Sequence, residues 1–146
     1  MLEAMIVHAR DAYPVEACGI VIGTPERLSR LSPCRNIQDE LHAGDPETYP
    51  RTSRDGYSIH PEDMALVMRE ARERGEEYRV IYHSHVDAGA YFSEEDKRAA
   101  TWDGEATYPD VAYIVIAVMA GQVKEANVFH WNPDRRDFEG EPLELP

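Results

Sequence analysis

Residues 78–85 of the chain read YRVIYHSH, and the fold can be worked out from this stretch outward. The first five residues are β-branched or aromatic except for one arginine, and such a run predicts a buried strand. The strand delivers His83-Ser84-His85 at its end, and because alternate residues of an extended chain point the same way, both imidazoles lie on one face. Two imidazoles on one face are a common zinc-binding arrangement, although His-x-His pairs also occur by chance or at surfaces.

The sequence on either side of this strand predicts further strands and helices. Four other stretches have the composition of strands: residues 18–23 (CGIVIG), 28–37 with Pro33 as an interruption, 111–119 (VAYIVIAVM) and 123–131. Apolar residues at helical spacing, or a proline or acids at a first turn, predict three helices: residues 2–13, 61–75 and 93–102. The order of these elements predicts an α/β or α+β sandwich, which is a single-domain mixed β-sheet flanked by helices.

Two stretches lack a clear period. Residues 38–54 contain two prolines and several acidic residues, and they predict a long surface loop, a kind of segment that is often functional. Residues 132–146 are acidic and contain proline, which predicts a tail that crosses the surface or frays. We therefore expect a single domain over residues 1–131, followed by an acidic C-terminal tail over residues 132–146.

Composition and charge restrict the function. The 146 residues include 28 acidic and 15 basic ones, and the net charge of −13 argues against nucleic acid or a membrane as a partner, since phosphate binding needs clustered Lys and Arg. No apolar run reaches the roughly 18 residues of a membrane span, and the first residues lack a secretory signal, so we expect a cytoplasmic protein. Cys18 and Cys34 are too few for a disulfide scaffold, and we interpret them as core residues, with a single disulfide as the alternative.

A third ligand for the two histidines is available at the next predicted helix. Asp96 lies in its first turn, and two histidines with one carboxylate form a three-ligand zinc site with an open position, the type found in catalysis. Ser93 and Asp96 also have the spacing of a capping box, in which the serine side chain accepts a hydrogen bond from the amide three residues later. Both interpretations can hold at once, because the first turn of a helix places the two residues together.

An acidic residue near the N-terminus is a candidate general base. Glu16 stands in YPVEACG, just before the strand predicted at residues 18–23. A carboxylate beside an activated water can take its proton and pass it to a leaving amine, but most glutamates at strand starts are simply exposed. The remaining histidines share no ligand spacing, and we interpret them as surface or capping residues: His8, His42, His60 and His130.

Taken together, these residues match a known pattern. His83-Ser84-His85, seven residues, Ser93, two residues and Asp96 resemble the JAMM motif of the JAB/MPN metalloproteases. A glutamate within a Tyr-Pro-x-Glu-x-Cys-Gly segment is also typical of that family, and here the segment is YPVEACG. The resemblance covers residues 1–131.

The resemblance implies a fold and a set of residue roles. The fold would be of the JAB/MPN type, a sandwich like that of the cytidine deaminases. Three residues would bind one Zn²⁺ per chain: His83, His85 and Asp96. Glu16 would act as general base and then as acid, and the Ser93 hydroxyl would hydrogen-bond the developing oxyanion, so the protein would be a zinc metallopeptidase.

The resemblance also implies a class of substrate. Val86 and Phe92 stand where many members have proline, and the loop HVDAGAYFSEED is similar to that of bacterial members that act on ubiquitin-like sulfur-carrier proteins. We therefore expect hydrolysis of an amide or isopeptide bond after the C-terminal Gly-Gly of such a carrier, with cysteine as one candidate released group. Two alternatives stay open: a metal-dependent hydrolase of a small-molecule amide, and a non-catalytic binding module of the MPN type.

Overall fold

Eight strands and four helices make up the structure, a computed structural model that describes all 146 residues. The helices are α1 (Leu2–Ala12), α2 (Gln38–Gly44), α3 (Pro61–Glu73) and α4 (Glu94–Ala100). The strands are β1 (Cys18–Thr24), β2 (Arg27–Cys34), β3 (Glu77–Val86), β4 (Thr101–Trp102), β5 (Glu105–Ala106), β6 (Ala112–Met119), β7 (Gln122–Asn132) and β8 (Asp137–Pro142). None of the helices combines the length and the apolar character that a membrane crossing requires.

Six of the strands form one mixed sheet in the order β2-β1-β3-β6-β7-β8. β3 and β6 pair in parallel, whereas every other neighbouring pair in this sheet is antiparallel. Parallel neighbours cannot be joined by a tight turn, and the long connection from β3 to β6 contains α4 and the β4-β5 hairpin. The predicted fold class, a single mixed sheet with flanking helices, is confirmed.

Each face of the sheet carries its own hydrophobic cluster. Alternate side chains of β6 enter opposite clusters: Tyr113, Val115 and Ala117 on the first face, and Ile114, Ile116 and Val118 on the second. α3 covers the first face through Val67 and Ala71, and α1 covers the second face through Met5 and Ala9. β6 is buried on both faces, and for that reason its sequence is a continuous apolar run rather than an alternating one.

Two regions are more regular than the sequence predicts. Residues 38–44, part of the predicted loop, form α2, which has Asp39 and Glu40 in its first turn, where acids favour a helix start. β2 runs without interruption through Pro33, because β2 is an edge strand and one side of an edge strand needs no hydrogen-bond donors. Residues 45–54 remain irregular, as the sequence predicts.

The C-terminal segment also differs from the prediction. The sequence predicts a tail that crosses the surface or frays, whereas residues 137–142 form β8, which pairs with β7 and extends the sheet. Phe138 is the buried residue of β8, and it packs into the cluster of the first face. A strand that buries one residue carries almost no hydrophobic pattern, which explains the wrong prediction. The division between a domain over residues 1–131 and a tail over residues 132–146 remains a prediction.

Cys18 and Cys34 are free and buried, in agreement with their interpretation as core residues. They are direct neighbours across β1 and β2. Burial raises the pKa of Cys34 to about 11, so its thiol stays protonated at neutral pH. Burial raises the pKa of the Cys18 thiol as well, so this thiol is also protonated at neutral pH.

Candidate metal centre

β3 lies between β1 and β6, and its last residues present two histidines to the first face of the sheet. Ile81 packs into the cluster of that face, and His83 and His85 follow at intervals of two residues. His83 is fully buried, and only 6% of His85 is exposed. The backbone of His83 pairs with Cys18 on one side and with Val115 on the other, so its position is fixed from both sides.

α4 brings Asp96 to the same place. Ser93 caps this helix: its Oγ accepts a hydrogen bond from Asp96 N at 3.0 Å, and Ser93 N donates to Asp96 Oδ2 at 3.0 Å. This is the capping box that the spacing of the two residues predicts, and it fixes the orientation of the Asp96 carboxylate. Because the Ser93 oxygen accepts in this arrangement, its own hydrogen stays free to be donated to another group.

Three side-chain atoms converge into a small triangle. His83 Nε2 lies 3.1 Å from Asp96 Oδ2, His85 Nε2 lies 3.2 Å from the same oxygen, and the two nitrogens are 3.2 Å apart. Ligand atoms that surround a zinc ion tetrahedrally at about 2.0–2.1 Å are about 3.3 Å from one another. The triangle therefore has nearly the size that a tetrahedral ion imposes, with the fourth position left for a further ligand.

The hydrogen bond of His85 indicates that a positive charge belongs between these atoms. His85 Nδ1 lies 2.8 Å from Gly89 O, and because a carbonyl oxygen can only accept, Nδ1 carries the hydrogen. A neutral His85 then directs the bare lone pair of Nε2 at the Asp96 carboxylate, which is repulsive unless a cation or a second proton lies between them. Histidines that bind metals usually donate their other ring N–H to a carbonyl or carboxylate, as His85 does.

β7 holds the loop that contains Gly89. Ala90 N donates to Glu125 Oε1 at 2.8 Å, and Ala90 O accepts from Asn127 Nδ2 at 2.9 Å. Both hydrogen bonds act on the residue next to Gly89, so they fix the carbonyl that orients His85. Glu125 and Asn127 are thus indirect supports of the imidazole, although they are distant from it along the chain.

His83 is packed rather than hydrogen-bonded on its other side. The ring of Tyr57 stacks on the imidazole, with 4.3 Å between ring centroids and 20° between the ring planes. His83 Nδ1 is buried and has no hydrogen-bond partner. Burial lowers the pKa of His83, although the charge of Asp96 opposes this effect, and the imidazole is therefore kept in the neutral form that binds metals.

Asp96 supplies the negative charge of the group. Burial acts to raise the pKa of its carboxyl, but the imidazoles and the amide of Ser93 outweigh burial, and the pKa lies below its ordinary value. The ligand atoms of His83, His85 and Asp96 all lie within 4.8 Å of one another. Two imidazole nitrogens and one carboxylate oxygen suit zinc, and they also suit Fe, Co or Ni. The residues therefore fit a divalent transition metal.

Glu16 is a buried carboxyl group beside this cluster. Only 4% of the residue is exposed, and its Oε2 atom has no hydrogen-bond partner. Burial raises the pKa of Glu16 to about 9, and the charges of Asp96 and Asp55 add to the effect. The alternative of an ordinary exposed glutamate is therefore wrong. A carboxyl group with a perturbed pKa in a groove is a candidate for acid-base chemistry.

Asn36 ties the main chain of Glu16 to the segment between α2 and α3. Its Nδ2 donates to Glu16 O at 3.1 Å and to Gly56 O at 3.1 Å. Its Oδ1 accepts from Gln38 N at 3.0 Å and from Ser58 N at 3.1 Å. One amide side chain therefore satisfies four backbone groups from three separate parts of the chain.

A groove crosses the site. One part, of about 240 Å³, lies between α4 and the segment between α2 and α3, and a second part, of about 80 Å³, lies beside the loop after β3. Four residues line both parts, so the two parts meet at these residues: Glu16, Arg51, Asp55 and His85. Tyr91 stands edge-on to His85, with 5.0 Å between ring centroids, and is 56% exposed. An extended ligand in the groove would pass directly beside the metal-binding triangle.

The fold and the site together define a class of protein, a mixed-sheet α/β domain with a buried His-His-Asp group and a buried glutamate beside it. The chain belongs to the family of prokaryotic homologues of the JAB domain, which matches residues 1–134. The predicted resemblance to the JAB/MPN metalloproteases is confirmed.

Two relatives illustrate the range of proteins to which the sequence is similar. The chain is 33% identical over 117 residues to the CysO-cysteine peptidase of Mycobacterium tuberculosis, a match that covers 80% of this chain and 68% of that protein. It is 34% identical over 96 residues to the tail tip assembly protein K of Escherichia phage N15, a match that covers 66% of this chain and 32% of that protein. The family and the peptidase relative together support a hydrolase of the peptidase type.

Two solution structures share the fold. A protein from Desulfitobacterium hafniense has a TM-score of 0.69 and 25% identity, with 99% of this chain and 88% of that chain covered. A protein from Salinibacter ruber has a TM-score of 0.63 and 27% identity, with 99% and 87% covered. The likeness therefore extends over nearly the whole chain.

The residues predicted for the site come together in the structure. Asp96 contacts His83 and His85, while Glu16 and Ser93 line the second part of the groove together with His85. Sequence reasoning did not identify the residues that support or flank the site: Asn36, Arg51, Tyr57, Glu125 and Asn127. The one signal among these was the position of Arg51, a basic residue within an acidic and irregular stretch.

Proposed function

We propose that the protein is a zinc-dependent peptidase that hydrolyses the amide or isopeptide bond after the C-terminal Gly-Gly of a ubiquitin-like sulfur-carrier protein. One observation carries the proposal: the buried carboxyl group of Glu16, with an unpaired oxygen, shares a groove with His85 and Asp96 of the metal-binding triangle. A metal site with an acid-base group beside it is the arrangement that hydrolysis of an amide requires.

His83, His85 and Asp96 would hold the zinc ion. When bound, the ion serves as a Lewis acid that lowers the pKa of water and polarises the scissile carbonyl. The protein contributes rigidity, because the capping box fixes Asp96, the Gly89 carbonyl orients His85, and a stacked ring supports His83. Ligands that are held in this way need no rearrangement during the reaction.

Glu16 is assigned both proton transfers. As a carboxylate it takes one proton from the attacking water, and as a carboxylic acid it gives that proton to the leaving amine. The second water proton leaves the new carrier carboxyl group for solvent, so a carrier carboxylate and a free amine are released. Burial raises the pKa of Glu16 to about 9, and a cation held beside it would lower that pKa toward neutrality. A pKa near the working pH allows one group to serve in both directions.

Ser93 is assigned the stabilisation of the oxyanion that forms on the scissile carbonyl. Its Oγ accepts the amide hydrogen of Asp96, which leaves the hydroxyl hydrogen free to point into the groove that Ser93 lines. Removal of one donor of this kind typically slows a reaction by about 100- to 1000-fold. The cap and the oxyanion contact use different parts of the hydroxyl, so one does not preclude the other.

The peptidase relative and the shape of the groove support a carrier tail as the substrate. The relative is named for a CysO-cysteine adduct, and by analogy the bond that is broken here follows a carrier C-terminus. The smaller part of the groove, of about 80 Å³, has little room for large side chains, which suits a Gly-Gly tail. A small-molecule site is less well supported, because such pockets usually have about 300–1,000 Å³ and an apolar lining, whereas three of the 15 residues around the larger part are hydrophobic.

The test is cleavage of a sulfur-carrier protein with a C-terminal adduct after Gly-Gly, followed by mass spectrometry, with zinc quantified in each enzyme sample. Glu16→Gln should bind zinc at full occupancy and fail to cleave, while the matched control Glu73→Gln, an exposed residue of α3, should cleave as well as wild type. Zinc-loaded wild type that cleaves no carrier adduct would refute the substrate class. A chain that binds no zinc would refute the metal assignment.

A further inference from the structure

Arg51 is a cation without a carboxylate partner in the groove. Three basic residues line the two parts of the groove: Arg51, Arg54 and Arg98. Arg98 pairs with Glu95, and Arg54 lies 3.7 Å from Asp87. No carboxylate pairs with Arg51, although acidic residues outnumber basic ones by 28 to 15 in the chain. Its charge is therefore available to a ligand.

The guanidinium of Arg51 is held in one position. Its Nη1 donates to Asp55 O at 2.9 Å, and this bond uses one N–H group and leaves the others free. The aliphatic stem lies across Gly56, where an added Cβ would come within 3.2 Å of Arg51 Cβ and 3.5 Å of Arg51 Cδ. The backbone oxygen of Arg51 accepts from Gln38 Nε2 at 3.1 Å, which anchors the residue at its other end. Arg51 is thus anchored at both ends, and guanidinium N–H groups remain that can donate to an anion.

The position of Arg51 along the groove defines what it can bind. It lines the junction of the two parts of the groove, together with Glu16 and His85. The other acidic residues at this junction are Glu16 and Asp55, and of these the Asp55 carboxylate repels an anionic ligand. Arg51 is therefore the group at this junction that attracts an anion, and it lies beside Glu16, the group assigned to protonate the leaving nitrogen.

We propose that Arg51 binds the α-carboxylate of the amino acid that is released, so that the substrate is a carrier extended by a single amino acid with a free C-terminus. This inference rests on the proposed function. In such an adduct the α-carboxylate is two bonds from the leaving nitrogen, so its binding group must stand next to Glu16, as Arg51 does. A side-chain isopeptide of lysine has no carboxylate at that distance. The fork of a guanidinium also matches the two oxygens of a carboxylate.

The experiment compares two adducts of one sulfur-carrier protein: Gly-Gly followed by cysteine with a free carboxylate, and the same adduct with a C-terminal carboxamide. Wild type should cleave the carboxylate adduct with a kcat/KM about 10- to 100-fold higher, the range expected for a hydrogen bond between charged groups, and mainly through a lower KM. Arg51→Gln should abolish this preference, so that the variant cleaves the two adducts with similar kcat/KM. Arg51→Lys keeps the positive charge but lacks the two-pronged guanidinium, and it should retain part of the preference for the carboxylate adduct.

Arg69→Gln is the matched control, because Arg69 is an exposed residue of α3 without an ion pair, and this variant should keep the full preference. Equal cleavage of both adducts by wild type would overturn the inference while leaving the proposed function intact. If Arg51→Gln keeps the preference and shows a shifted pH profile, the role of Arg51 is to adjust the pKa of Glu16, and the inference is overturned as well. If zinc-loaded wild type cleaves neither adduct, the proposed function fails and the inference fails with it.

Discussion

His85 donates its Nδ1 hydrogen to the main-chain oxygen of Gly89 over 2.8 Å, which leaves Nε2 directed at the metal-binding triangle. The orientation of a central strand residue therefore depends on a loop, and that loop depends on two side chains of β7. The support of the candidate metal centre extends well beyond its three ligands.

Asn127→Ala should weaken zinc binding without unfolding the protein. The substitution removes the hydrogen bond from Asn127 Nδ2 to Ala90 O and loosens the carbonyl that orients His85. Groups that orient ligating histidines typically contribute about 10- to 100-fold to metal affinity, and we expect about tenfold for this indirect contact. Competition with a chromophoric chelator measures the affinity. Lys124→Ala, an exposed neighbour on β7, should bind zinc like wild type, and equal affinities of the two variants would disprove the dependence on the loop.

Glu16 should make the metal-free protein less stable as the pH rises. Its pKa is about 9 when folded and near the model-compound value of 4.5 when unfolded, so between these values the folded state retains a proton that the unfolded state has lost. The free energy of unfolding must then fall as the pH rises through this window. Glu16→Gln lacks this titration and should be more stable than wild type by several kcal/mol at pH 8, with equal stability near pH 4.

Urea unfolding in the presence of a chelator, repeated from pH 4 to pH 9, measures this difference. Asp137→Asn provides a contrast of opposite sign, because hydrogen bonds from Lys97 and Phe138 lower the pKa of Asp137 and its contribution to stability is lost as the pH falls. A constant difference between Glu16→Gln and wild type at every pH would contradict the buried and unpaired state of the carboxyl group.

Ser93→Ala should separate the two roles of the serine. Loss of the cap of α4 should lower the free energy of unfolding by about 1 kcal/mol. Loss of the hydroxyl donor should lower kcat by about 100- to 1000-fold, which is far more than that change in stability can explain. Ser93→Thr keeps both the acceptor and the donor and should restore most of both quantities. Stability and turnover that fall together, with kcat reduced severalfold at most, would leave capping as the whole role of Ser93.

The residues of the candidate metal centre could be predicted because local rules act on short segments. Strand alternation places His83 and His85 on one face, and the helix start places Asp96 beside Ser93. β3 and β6 are parallel, so the chain between them must cross over from one end of the sheet to the other. This crossover contains α4 and brings Asp96 to the end of β3.

The supports of the site could not be predicted in the same way. Tyr57, Asn36 and Asn127 reach the site through tertiary contacts, and an amide or a phenol ring has no sequence spacing that reveals its partner. β8 was missed for a related reason, because strand formation there depends on pairing with β7 rather than on its own hydrophobic pattern. The burial of Glu16 likewise follows from the segment that packs over it, not from YPVEACG itself.

Asn36 has a consequence for how a substrate enters. The segment between α2 and α3 forms one side of the groove. For this segment to move outward, up to four hydrogen bonds of the Asn36 amide would have to break, two of them from its nitrogen to Glu16 and Gly56. The segment between α2 and α3 is therefore tied to the main chain of Glu16, and we expect amide hydrogens there to exchange slowly and together. Under the proposed function, a flexible carrier tail enters a groove that already exists, so the entropy of ordering is lost by the substrate and not by the enzyme.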